Sequence, residues 1–500
     1  MSALLDARLG ALLADHPSRL ITSQGVVDDR SLAARIDRVS EALLHAGLDR
    51  VASRLDNSDA WCVLDLAIRR IGGVHIPLPT FFSEVQVRHA LASSGAQCVV
   101  GAVDGQMPSD AEALIRFMDG ERLACWRVTH VTPAPVLPPG TACITYTSGT
   151  TGQPKGVCLD AATLMSVASS LVEASSAIAP RRHLCLMPLS TLLENIGGLY
   201  ASLLADAEIA LPSLSEIGYT GATGLDVPTL LRCLHRYSPE SVILVPQLLL
   251  ALVMASEQGA PLPKSLRYIA VGGGRVSPSL LSRAYAQGLP VFEGYGLTEC
   301  GSVVALNRPD AIRAGSVGQV LPHVRVSIVE GEICIHDTKA LGYLGGEALP
   351  QGPVRTGDLG HFDADGFLYV TGRRKNVFIT AFGRNVSPEW VESELLTHPA
   401  IAQAVVWGEA RADNVAILVP RQPDIDDHRL ALAVDEVNAR LPDYAQISRI
   451  VRAESPFSAS EGLLTANGRP RRDAILARYQ DEVEACYGRD PLFSISGVPA

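Results

Sequence analysis

Paired cysteine motifs are missing from this chain. Its 10 cysteines stand singly, with no Cys-x-x-Cys anywhere, so neither a zinc knuckle nor a disulfide framework is indicated and the pattern fits a reducing cytoplasm. A basic excess is missing too: 42 Lys and Arg face 53 Asp and Glu, for a net charge of -11. Non-specific nucleic-acid binding needs a basic face, and the densest basic group here is only Arg469, Arg471 and Arg472. No nucleic-acid partner is expected. The most apolar stretch, Val242 to Ala255, is shorter than a membrane span and is interrupted by Pro246 and Gln247, which points to a buried element and no transmembrane segment. Met1 to Arg19 carries Asp6 and Asp15 and lacks the basic start and apolar centre of a signal peptide. A cytoplasmic protein is expected. There is no internal repeat, and the Pro-rich Thr132 to Gly140 reads as an ordinary loop.

At 500 residues the chain is too long for one ordinary core. Apolar strand-like runs alternate with longer helical patterns over its first two thirds, which predicts α/β architecture with largely parallel sheets. Ala161 to Ala177 reads as a helix. Ser277 as N-cap, Pro278 at the first helical position and Gly288 beyond the end bracket another. Val324, Val326 and Ile328 alternate ahead of a Glu330-Gly331 turn, which predicts an antiparallel hairpin to Ile335. After Gly372 a compact β-α-β pattern returns: Ser387 caps a helix through Leu396, and Ala402 to Trp407 and Val415 to Val419 are strands.

The densest chemistry lies in Tyr146-Thr147-Ser148-Gly149-Thr150-Thr151-Gly152-Gln153-Pro154-Lys155-Gly156, behind the apolar run Ala142-Cys143-Ile144. Hydroxyls and glycines let backbone N–H groups turn toward an anion, and Lys155 adds positive charge. The order differs from the P-loop, in which Gly-Lys-Ser/Thr closes the loop, because Pro154 precedes Lys155 and Gly156 follows it. Further motifs come in sequence: Gly272-Gly273-Gly274 after Tyr268-Ile269-Ala270-Val271, then Gly294-Tyr295-Gly296-Leu297-Thr298-Glu299, then Arg355-Thr356-Gly357-Asp358, then Gly372-Arg373-Arg374-Lys375.

In this order the motifs closely resemble the signatures of the adenylate-forming superfamily of AMP-dependent synthetases and ligases. The resemblance covers nearly the whole chain and is strongest between Tyr146 and Glu389. It implies a large N-terminal domain of α/β subdomains plus a small antiparallel barrel, 1–372, and a mobile α+β C-terminal lid, 373–500, with Lys375 at the hinge. It implies that Thr147, Ser148, Gly149, Thr150, Thr151, Gly152 and Lys155 grip the β- and γ-phosphates of ATP. Thr298 and Glu299 resemble the pair that meets the α-phosphate and Mg2+, with Glu299 the metal ligand. Tyr295 would stack on adenine, whose edge meets the backbone of Gly272, Gly273 and Gly274. Glu293, Gly294 and Gly296 count with these nucleotide contacts, and Asp358 and Arg373 would hold the ribose. Gly383 falls where the family's lid loop approaches the acceptor thiol, and equally suits a simple turn.

Two positions leave the family pattern. The superfamily's catalytic lysine, in a Thr-x-Asn-Gly-Lys context, is replaced after Thr465-Ala466-Asn467-Gly468 by Arg469, a planar fork in place of a compact ammonium. In Pro188-Leu189-Ser190-Thr191, Thr191 stands where acyl-CoA synthetases often carry His. Nearby Glu194 is by default a satisfied buried carboxyl; otherwise it contacts a polar group on the substrate. The family's substrate pocket corresponds to Leu192 to Tyr200, Val245 to Leu250 and Gly273 to Glu293, largely apolar here and suited to an acyl or aryl carboxylic acid. The run Phe382 to Glu389 looks most like the fatty acyl-CoA synthetase branch. No carrier domain is expected in the chain, so the acceptor would be CoA or a free-standing carrier protein. An acid–thiol ligase is the leading expectation. An adenylating enzyme with an amine or other nitrogen acceptor, and a nucleotide-binding protein without turnover, are the alternatives.

Overall fold

The computed structural model describes residues 16–102, 111–119, 122–129, 134–147, 155–220, 224–337, 340–346, 352–465 and 468–487. Its chain falls into two compact units. The first comprises Met1–Val276, Leu281–Thr356 and Gly360–Val370, and the second Ser277–Leu280, Gly357–Leu359 and Thr371–Ala500.

Two large sheets build the first unit. In one, the strands Leu20–Thr22, Glu208–Ala210, Arg182–Leu184, Ser241–Leu244, Tyr268–Val271 and Val291–Tyr295 lie side by side and parallel, with short antiparallel strands at both edges. In the other, Cys98–Ala102, Arg50–Arg54, Val74–Pro77 and Thr141–Thr147 are the parallel centre, and Lys155–Asp160 returns antiparallel along Thr141–Thr147. Parallel sheets are covered on both faces, so their strands are continuous apolar runs; all four residues of Ser241–Leu244 are buried. The hairpin of Arg325–Val329 and Glu332–His336 turns through Glu330 and Gly331, both at positive φ. It belongs to a four-stranded sheet with Val354–Phe362 and Leu368–Arg373.

The helices follow their caps. Asp160 accepts from the Thr163 N–H at 2.7 Å to start Ala161–Ser175, and Ser277 Oγ accepts from the Leu280 N–H at 3.0 Å to start Pro278–Ala286. The stretch from Val242 to Ala255 is two elements: the strand ends at Leu244 and Pro246 opens the helix Pro246–Glu257, where a missing N–H costs nothing. Helix Asp59–Arg70 is buried almost all round and carries charge inward. Asp65 Oδ1 lies 2.6 Å from His75 Nδ1, His75 Nε2 lies 2.7 Å from Ser53 Oγ, and Tyr200 donates to Asp65 Oδ2 at 2.6 Å. Burial pushes the Asp65 carboxyl up, but Arg69, His75 and Tyr200 outweigh it and hold it below the ordinary value. All ten cysteines are free, and all but Cys486 are buried.

In the second unit, Ile401–Trp407 pairs antiparallel with Asn414–Pro420, which pairs parallel with Ile447–Arg452. Strand alternation sends Ala404, Val406, Ala416 and Leu418 to one core and Val405, Val415, Ile417 and Val419 to another. Ser387 stands at the N-cap of Pro388–Leu395 but makes no capping bond. Its hydroxyl donates instead to the Glu389 carboxylate at 3.2 Å.

Candidate active site

Parallel strands deliver two of the expected nucleotide motifs to one edge of a sheet. Val271 and Glu293 are register partners, so the glycine run after Val271 and the Gly294 to Glu299 segment leave the same carboxyl edge, where open α/β sheets bind ligands. The Gly272 N–H donates to the Leu244 carbonyl at 3.1 Å, Gly273 has φ +77°, and a Cβ on Gly272 would sit 3.6 Å from the Gly294 oxygen. Gly296 is sterically obligatory, since a Cβ there would lie 1.7 Å from the Ser302 oxygen. Tyr295 is half-buried beside it, and its carbonyl accepts from the Val304 N–H at 2.8 Å.

Glu293 is buried at the end of its strand, only 7% exposed. Burial lifts its carboxyl to about 8, against the pull of Arg275 and the Val276 N–H. Thr298–Cys300 forms a short 3-10 turn that presents Glu299. The Glu299 Oε1 accepts from the Tyr343 hydroxyl at 2.9 Å, and its backbone carbonyl accepts from the Ala340 N–H at 2.6 Å. Tyr343 belongs to the two-residue strand Gly342–Tyr343, antiparallel to Lys155–Asp160. The exposed Lys155 Nζ lies 5.7 Å from the Tyr343 ring centroid. Thr147 ends the strand before the loop, its hydroxyl donating to the Lys155 carbonyl at 3.4 Å. Ser148, Gly149, Thr150, Thr151 and Gly152 lie outside the described residues.

Tyr343 was not legible in the sequence. A short Gly-Tyr between turn residues carries no periodicity, and only the pairing to Val157 reveals what it touches. The signal available was an aromatic with a polar tip in a glycine-rich stretch, Gly342 to Gly346.

Glu194 takes the default expected of it. Its Oε1 lies 2.8 Å from His183 Nε2, its Oε2 accepts from the Met187 N–H at 3.0 Å, and His183 Nδ1 lies 3.0 Å from Ser241 Oγ. Cys185 completes this buried group, the only one among the described residues with three side chains of metal-ligating type within reach of one another. Its polar atoms are engaged with each other and with backbone, so it reads as a closed structural nest.

In the second unit Asp358 and Arg373 come together: Arg373 Nε lies 2.8 Å from Asp358 Oδ1, with the carboxylate buried and the guanidinium half-exposed. The Arg374 N–H donates to the Gly357 carbonyl at 2.8 Å. In the first unit Arg355 is engaged with Glu332 at 2.6 Å. Gly383 has φ +71° and its N–H donates to the Thr380 carbonyl at 2.9 Å, while Phe382 beside it is 73% exposed. Arg469 is exposed on a tight turn, its N–H donating to Thr465 Oγ1 at 3.1 Å and its carbonyl accepting from the Thr465 N–H at 2.8 Å.

A parallel sheet with glycine-rich turns and a Lys, Tyr and Glu constellation in the first unit, and a compact α+β second unit, define a nucleotide-using α/β enzyme. Residues 28–344 match the AMP-binding enzyme family and 375–491 match the AMP-binding enzyme C-terminal domain, so the chain belongs to the AMP-binding enzymes, the AMP-dependent synthetases and ligases. The long-chain-fatty-acid–CoA ligase FadD15 of Mycobacterium bovis is 26% identical, covering 95% of this chain and 96% of that protein. The 2-succinylbenzoate–CoA ligase of Bacillus velezensis is 29% identical over 76% of this chain and 78% of its own length. The fatty acid–[acyl-carrier-protein] ligase ScoC of Streptomyces coeruleorubidus is 27% identical over 81% of this chain and 85% of its own. Among solved structures, the anthranilate CoA ligase AuaEII with anthranoyl-AMP superposes with a TM-score of 0.77 at 19% identity, over 96% of this chain and 97% of that one. The Bacillus subtilis o-succinylbenzoate CoA synthetase with ATP and magnesium gives 0.71 at 24% identity, over 93% and 98%. The amide bond synthetase McbA of Marinactinospora thermotolerans gives 0.72 at 23% identity, over 95% and 99%. These structures share the fold.

Proposed function

We propose that the protein is an acid–thiol ligase that joins an apolar acyl or aryl carboxylate to the α-phosphate of ATP, expels pyrophosphate and passes the acyl group to the thiol of CoA. The observation that carries it is the convergence of Lys155 and Glu299 on Tyr343. Adenylation brings a polyanion and a carboxylate together, so a cation and a metal-binding carboxylate must face the same phosphates. Lys155, with the loop from Thr147 to Gly152, takes the β- and γ-phosphates. Thr298 and Glu299 face the α-phosphate, and Tyr295 and the Gly272 to Gly274 backbone take the adenine, with Glu293 counted among the nucleotide contacts. Asp358 and Arg373 take the ribose, and Arg469 brings a charge to the carboxylate and α-phosphate. An adenylation core, 1–372, and a lid, 373–500, belong to the same reading, as does a cytoplasmic location; no described helix is long and apolar enough to cross a membrane.

Mg2+ fits the donor set. It is held by one or two carboxylates together with substrate phosphates and water, and Glu299 offers a half-buried carboxylate with no three-ligand cluster around it among the described residues. The metal would neutralise phosphate charge there. Arg469, where the family lysine is absent, favours a second reading in which the acceptor is a carrier-protein thiol or a nitrogen nucleophile. Purified protein with ATP, Mg2+ and a panel of fatty and aryl acids is expected to release AMP and pyrophosphate, and to form a thioester when CoA is added. ADP and phosphate as products would sink the proposal, and adenylate formation with transfer only to amines would move it to the second reading.

A further inference from the structure

The strap from Ala340 to Leu344 stitches two parts of the site together. Its Leu341 and Leu344 N–H groups donate to the Cys158 and Gly156 carbonyls at 2.8 and 2.9 Å, while its Ala340 N–H reaches the Glu299 carbonyl at 2.6 Å. It is fitted closely, because a Cβ on Gly156 would lie 2.3 Å from Leu344 Cδ1. From this strap one side chain touches both functional groups: the Tyr343 hydroxyl donates to Glu299 Oε1, and its ring stands 5.7 Å from Lys155 Nζ.

We propose that Tyr343 is a positioning residue that sets the Glu299 carboxylate for Mg2+ and the Lys155 ammonium for phosphate. This rests on Glu299 being the magnesium ligand. A phenol bonded to Oε1 fixes the carboxylate rotamer and leaves Oε2, which has no hydrogen-bond partner among the described residues, to face the metal. The ring face attracts the ammonium, so Lys155 waits near its working position rather than sampling many rotamers, and less order is lost when phosphate arrives.

The test is calorimetric binding of ATP to the full chain with and without Mg2+, which needs no turnover. In Tyr343→Phe the gain in ATP affinity on adding Mg2+ should shrink by at least about fivefold, as one lost hydrogen bond to a charged group predicts. Metal-free ATP affinity should stay within about twofold. Tyr343→Leu, which also removes the ring, should weaken metal-free binding further. Glu299→Gln serves as reference. If it loses the Mg2+ gain while Tyr343→Phe keeps it, the positioning role is overturned and the metal role of Glu299 stands. If both keep the gain, the metal role fails and Tyr343 falls with it. Equal metal-free affinity in the Phe and Leu variants overturns the part assigned to the ring.

Discussion

Of the 42 basic residues only Lys155, Lys264, Lys339 and Lys375 are lysines, and none occurs between Lys375 and Ala500. No lysine of the second unit beyond Lys375 can therefore stand in for the one missing at Arg469. The turn that carries Arg469 is closed by its two bonds to Thr465 and the bridge between Leu464 and Pro470, so the backbone fixes where the side chain starts. If Arg469 supplies the charge that meets the developing negative charge between carboxylate and α-phosphate, it acts in the transition state. Arg469→Lys should then keep or raise the rate of acid-dependent pyrophosphate exchange, and Arg469→Ala should lower it at least about tenfold with ATP affinity little changed. Unchanged exchange in the alanine variant would make Arg469 an ordinary surface residue.

The π-helix Asn195–Tyr200, in the segment expected to border the acid pocket, is shaped by the nest beneath it. Gly198 lies so close that a Cβ would stand 2.1 Å from Glu194 Oε1 and 3.1 Å from His183 Nε2. Gly197 is crowded only by the far end of a flexible side chain, Ile243 Cδ1 at 2.6 Å. Gly198→Ala should destabilise the protein by about 1–3 kcal/mol, the usual cost of overpacking a buried site, and Gly197→Ala by less. Urea unfolding of the two variants checks the order; equal costs would mean that the carboxylate moves aside as readily as the isoleucine.

Stability of the whole molecule carries the imprint of Glu293. Its carboxyl is raised in the folded state, from 4.5 to about 8, so between those values the unfolded chain has lost a proton that the folded chain keeps. The unfolded state then binds fewer protons, and stability falls as pH rises through that window. Glu293→Gln keeps the shape without the charge. Its melting temperature relative to the parent protein should therefore rise steadily from pH 4.5 to about 8. A difference that stays flat over this range would mean that Glu293 is ionised in the folded protein.

The sequence by itself determined which elements form and which motifs belong to one chemistry. Caps such as Asp160 and Ser277, the alternation up to Glu330-Gly331, and the ordered motifs from Tyr146 to Lys375 are local or linear signals, written in neighbouring residues. Tertiary structure alone decided which of these residues meet. Asp358 pairs with Arg373, Glu194 turns inward to His183, and Tyr343 joins Glu299 to Lys155 across sheet pairings of residues far apart in the chain. Even Ser387, correctly placed at a helix start, makes no capping bond and donates its hydroxyl to Glu389. Propensity and periodicity describe a chain with itself over a few residues, whereas a hydrogen bond between distant side chains depends on strand order and register, which no local pattern encodes.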